Sequence, residues 1–100
     1  MGPTCEVVLI ASPSGGILDT IDGYLGRVSQ KVVRHRKGRS WEVWIAARPI
    51  EIALSDDHES STTTVCLSVG CNSPEDYALL RRVSMELALL LGGHATEPVK

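Results

Sequence analysis

The sequence predicts an α+β fold, a two-layer sandwich with two helices on one face of a mostly antiparallel sheet. The expected order is β-α-β-β-α, with a final strand if residues 94–99 pair, and the fold is then ferredoxin-like. Three observations carry this expectation. A strand apolar on both faces stands near the start, two segments show helical periodicity, and the stretch between them alternates apolar with polar residues. One hundred residues with 43% hydrophobic content fit a single globular domain spanning 1–100.

Thr4 to Ala11 places Val7 and Leu9 on one side and Val8 and Ile10 on the other, the pattern of a strand with neighbours on both edges. Ser12-Pro13-Ser14-Gly15-Gly16 breaks it. Ile17, Leu18, Ile21, Tyr24, Leu25, Val28 and Val32 then fall within an arc of about 120° on a helical wheel. This predicts an amphipathic helix packed on one side and ended at Lys37-Gly38.

Trp41, Val43, Ile45 and Ala47 alternate with Glu42, Trp44, Ala46 and Arg48, as on a half-buried strand. After Pro49 the alternation resumes one residue out of step, with Ile50, Ile52 and Leu54. Such a slip needs a bulge in one long strand or a sharp turn between two short ones. With no glycine or asparagine there, the bulge is the expectation. Ser55 to Ser61 reads as a polar loop, and Thr62 to Val69 as a strand with Val65, Leu67 and Val69 inward.

Ser73-Pro74-Glu75-Asp76 is a helix start, with a serine N-cap, proline at the first helical position and acids in the first turn. Tyr77, Leu79, Leu80, Val83, Leu87, Ala88, Leu90 and Leu91 form its apolar arc, Met85 and Leu89 lie on the polar side, and Gly92-Gly93 closes it.

No apolar run reaches the eighteen or so residues of a membrane span, and no basic residue precedes the first apolar stretch as in a signal peptide. An odd set of cysteines, Cys5, Cys66 and Cys71, argues against a disulfide framework. The cytoplasm is the expected compartment.

Catalysis finds little purchase. Asp56-Asp57-His58-Glu59 groups suitable residue types, but in a polar loop rather than on a rigid element. Cys66 and Cys71 lack a zinc spacing, and no metal or cofactor is expected. The Ser14-Gly15-Gly16 turn before a helix is a candidate anion-binding turn, though it is neither a P-loop nor a G-x-G-x-x-G run.

Charge is unevenly distributed. Residues 1–39 hold six basic against three acidic side chains, and residues 40–100 hold four against nine. Arg34, Arg36, Lys37 and Arg39 form a basic cluster that Arg27 and Lys31 extend. Trp44 falls on the sheet face away from the helices, beside Thr64, Cys66 and Ser68. A tryptophan among small polar residues suits a contact surface. Trp44 and the four cluster residues are therefore the candidate partner-binding set.

The segment Gly70-Cys71-Asn72-Ser73-Pro74-Glu75-Asp76, with the leucine-rich helix ending Leu91-Gly92-Gly93, resembles uncharacterised small bacterial proteins of immunity or antitoxin type. The resemblance implies a small non-catalytic inhibitor of a protein partner, either a toxin or a second subunit, and assigns no site residue. Two alternatives accompany it, a small-molecule-binding regulatory domain of ferredoxin-like shape and an RNA-binding module. The acidic isoelectric point of about 5.9 counts against RNA.

Overall fold

The computed structural model describes residues 2–10, 16–35, 39–57, 62–70 and 73–99. The elements are β1 (Thr4–Ile10), α1 (Ile17–Val28), β2 (Lys31–His35), β3 (Ser40–Ile45), β4 (Arg48–Asp57), β5 (Thr62–Val69), α2 (Pro74–Leu91) and β6 (His94–Ala95). All six strands join one antiparallel sheet in the order β2-β3-β4-β5-β1-β6.

Strand alternation decides which side is buried. Val7 of β1, Val43 of β3, Ile50 and Ile52 of β4, and Val65 and Leu67 of β5 all point one way and are buried. Both helices close over that side, α1 through Ile21, Tyr24 and Leu25, and α2 through Leu79, Leu80, Val83 and Leu87. The expected α+β sandwich, with two helices on one face of an antiparallel sheet, is therefore present. Strands β4-β5-β1-β6 have the ferredoxin-like order, and a β2–β3 hairpin is inserted between α1 and β4.

That hairpin differs from the sequence expectation at two points. Helix α1 stops at Val28 rather than at Lys37-Gly38, and Ser29 caps it in extended backbone, with its N–H donating to the Leu25 carbonyl. Residues 31–35 form a strand instead. The β-branched pair Val32-Val33 favours extended backbone, and Gly23 and Gly26 weaken continued helix. Val32 belongs on the core side in either conformation, so helical periodicity alone does not separate them.

The second difference lies at residues 46–47. Here a tight turn replaces the expected bulge, and β3 and β4 are separate strands paired from Ser40↔Ala53 to Ile45↔Arg48. Ala46 and Ala47 both have left-handed φ, 53° and 63°, the signature of a type I′ hairpin. Alanine resists this conformation, at about 1–2 kcal/mol per residue. The Ala47 N–H donates to Gln30 Oε1 at 2.7 Å, which helps hold the turn. Strand β4 then runs on to Asp57, so the polar stretch from Ser55 begins inside a strand.

Helix α2 follows its sequence signals. Ser73 Oγ accepts from the Asp76 N–H at 3.1 Å and donates to Asp76 Oδ2 at 2.6 Å, and Gly92 closes the helix in left-handed backbone at φ 70°. Arg48 Nη1 pairs with Asp76 Oδ1 at 2.9 Å, tying the helix start to the start of β4. Gly93 is needed for close approach, because a Cβ there would lie 2.8 Å from the Val8 carbonyl oxygen. Strand β6 forms, though with only two residues, and Thr4 and Val99 exchange main-chain hydrogen bonds beyond it. Among the described residues, no helix is long and apolar enough to cross a membrane.

Candidate functional site

The sheet face opposite the helices carries no covering element among the described residues. Register arranges its side chains in rows across the strands. One row runs Lys31, Trp44, Pro49; the next runs Val33, Glu42, Glu51, Ser68, Thr4; a third holds Ser40, Ala53, Cys66 and Glu6. Two adjoining depressions cross the middle rows, lined by Thr4, Glu51, Ala53, Cys66 and Ser68.

Trp44 stands on this open face, as the alternation of β3 requires, and is half-buried. Lys31, directly opposite on β2, lays its Nζ 5.2 Å from the ring centroid in a cation–π contact. Trp41, three residues earlier, points into the core, where its Nε1 donates to Asp22 Oδ1 at 2.6 Å. The two tryptophans thus mark opposite faces of one strand.

Electrostatically the open face is acidic. Glu42 and Glu51 are direct cross-strand partners and Glu6 lies two strands beyond Glu51, while Lys31 is the cation at the β2 margin.

Cys66 also lies on the open face, with its Sγ 3.9 Å from Glu6 Oε2. Burial, then the Glu6 carboxylate, pushes the thiol up from its ordinary value. It is therefore protonated near neutral pH and a poor nucleophile. Burial raises the Cys5 thiol too, and its Sγ faces the Leu80 carbonyl in the core. Among the described residues, no three histidine, cysteine, aspartate or glutamate side chains group as metal ligands.

The other predicted site residues are dispersed. Arg39 is exposed where the chain enters β3. Arg34 belongs to β2 opposite Trp41, but its side chain lies outside the described residues, as do Arg36 and Lys37. Arg34 therefore belongs to a strand and not to a helix end. Of the candidate anion turn, Ser14 and Gly15 lie outside the described residues. Gly16 is the α1 N-cap, and its carbonyl accepts from the Thr20 N–H and hydroxyl, both at 2.9 Å.

Sequence reasoning missed Lys31 as the partner of Trp44 because it placed Lys31 on a helix. It also missed the Glu6, Glu42 and Glu51 grouping, which exists only once strand pairing is known. Elsewhere, α2 exposes Met85 and Leu89, the latter 85% accessible, beside a groove shared with His94 and Ala95 of β6. Compared with family models, characterised proteins and solved structures, the chain matches none.

Proposed function

We propose that this protein is a small non-catalytic protein-binding module of immunity or antitoxin type, which docks its protein partner on the open sheet face. The observation that carries this reading is a sheet face that no element among the described residues covers, with a tryptophan standing in it. Aromatic residues dominate binding energy where they sit in a desolvated centre ringed by polar groups. Trp44 supplies the aromatic anchor, and Glu51 and Glu6 supply acidic groups for a basic partner. The protonated thiol of Cys66 adds small polarizable surface rather than chemistry. Free Cys5 and Cys66 accord with action in the reducing cytoplasm.

The test is site-specific photo-crosslinking in the native cell. A photoreactive amino acid at Ala53, on the open face, is compared with one at Arg82, exposed on α2. A discrete protein adduct from position 53 is expected. Affinity of the purified pair should then fall on Trp44→Ala by the roughly 2 kcal/mol or more of a hot spot, about thirtyfold. Adducts from position 82 with none from position 53 would refute the open face as the binding site.

A further inference from the structure

Strand β6 forms one edge of the sheet, beside β1. Even-numbered residues of β1 bond toward it: Thr4 exchanges main-chain bonds with Val99, and the Glu6 carbonyl accepts from the Thr96 N–H. With Val8 opposite His94, residues 94 and 96 turn their main-chain groups inward. The main-chain groups of Ala95 and Glu97 therefore face away from the sheet, a short template for one more strand.

Helix α2 lies over this margin. Cys5 of β1 faces the Leu80 carbonyl, Arg81 Nη2 pairs with Glu97 Oε1 at 3.4 Å, and the Tyr77 hydroxyl donates to the Pro98 carbonyl at 3.0 Å. The helix thus runs above the seam between β1 and residues 94–98. Along its outer side Ala78, Arg82, Met85 and Leu89 recur at 4-3-4 spacing, the pattern of a helix–helix seam. All four are exposed, Met85 at 52% and Leu89 at 85%.

Two such margins fit one another across a twofold axis perpendicular to the sheet. Antiparallel pairing of β6 with its copy sets the two α2 helices antiparallel on the same side. With strands about 4.8 Å apart, a helix above the β1–β6 seam lies about 5 Å from that axis. The two helices are then about 10 Å apart, within the roughly 8–10 Å of packed helices. Charges at the margin balance, Arg81 and Arg82 against Glu86 and Glu97, so no single-sign field opposes the pairing. The open face, with Glu6 and Glu51, is less suited to stacking on itself. Six strands make the sheet about 29 Å wide, so the 35 Å extent of the molecule lies across them and the β6 end measures 25 × 23 Å. Covering that end buries roughly 500 Å² per chain, about 1,000 Å² in all, the lower bound for a specific interface.

We infer that this protein forms a twofold dimer by pairing β6 with β6 of a second copy, with Met85 and Leu89 of the two α2 helices packed across the axis. The sheet becomes continuous through both copies, and each open face stays free. The dimer uses a different surface from the open-face reading and does not depend on it.

An interface of this size gives a dissociation constant of about micromolar order. Sedimentation equilibrium of the intact protein through that concentration range should show monomer and dimer. Met85→Glu with Leu89→Asp, at two exposed positions, should keep the parent's circular dichroism. Each change occurs twice across the axis, so the dissociation constant should rise at least about thirtyfold. Amide exchange gives a second readout without substitution. The Ala95 and Glu97 N–H groups should become protected as concentration rises through the dissociation constant.

A protein that stays monomeric through that range overturns the inference, as does a dimer indifferent to the α2 double variant. A dimer in which Ala95 and Glu97 exchange as fast as in the monomer joins through its helices alone, and the continuous sheet is wrong. Ala53→Arg, on the open face, should leave the dissociation constant unchanged; loss of the dimer there moves the interface to the open face and overturns the assignment. A photoreactive residue at position 82 should yield an adduct of twice the chain mass, which is the dimer and not the partner. A different protein captured at position 53 by a monomer sinks the dimer alone. A dimer with no capture at position 53 sinks the open-face reading alone.

Discussion

Replacing each tryptophan by alanine separates the two faces of the sheet. Trp41 is 1% accessible and bonds to Asp22, whereas Trp44 is half-buried with its ring against Lys31. Truncating a fully buried tryptophan costs about 3–5 kcal/mol, a large share of the roughly 5–15 kcal/mol that holds a domain folded. Trp44→Ala loses a surface cation–π contact of about 0.5–1 kcal/mol and part of its apolar cover, about 1–1.5 kcal/mol in all. The difference of about 3 kcal/mol corresponds to about 2 M in urea midpoint, at a slope of about 1.5 kcal/mol/M. Equilibrium urea melts followed by far-UV circular dichroism measure it, since each variant removes a fluorophore. Equal midpoint shifts would mean that Trp44 is as structural as Trp41, and the open face would lose its anchor.

Three further outcomes follow from the geometry. Ala46→Asn with Ala47→Gly should stabilise the domain by about 1 kcal/mol, raising the thermal midpoint by about 4–8 °C, because both positions have left-handed φ; a lower midpoint contradicts the type I′ turn. The Ser73 hydrogen bond and then the Arg48 guanidinium hold the Asp76 carboxyl below its ordinary value. The stability this contributes is present at neutral pH and is lost as pH falls below about 4. Asp76→Asn should lose about 1–3 kcal/mol at pH 7 and show a shallower acid limb in pH-dependent melts. Glu6→Gln removes the carboxylate that opposes thiolate formation at Cys66. Mass-spectrometric mapping of maleimide labelling should then show faster modification of Cys66, with Cys5 protected in both proteins.

Where local chemistry decides structure, the sequence was sufficient. Ser73-Pro74 began α2, Gly92 ended it, and two-residue alternation put Val65, Leu67 and Val69 inside. Placement of Trp44 and Trp41 on opposite faces follows from alternation alone. The failures are tertiary. Residues 31–35 form a strand because β3 is there to pair with them, and Val32 fits a helical stripe and a strand face equally well. The Ala46-Ala47 turn lacks the expected Asn-Gly signal because cross-strand packing and Gln30 hold a conformation that local preference opposes. The acidic character of the open face was hidden for the same reason, since Glu6 and Glu51 are far apart in the chain and share a surface only through β5.

The position of β1 also has a consequence for how the chain folds. It precedes the other described strands in the chain, yet its two neighbours in the sheet are β5 and β6, and Val7 meets Val65 on one side and Ala95 on the other. The β2–β5 meander is built from local pairings, whereas β1 has a strand to pair with only once β5 has been added. Long-range pairings of this kind slow folding, because loop closure precedes the contacts that reward it. In a nascent chain halted after β5, the edge of β1 that β6 occupies is still open.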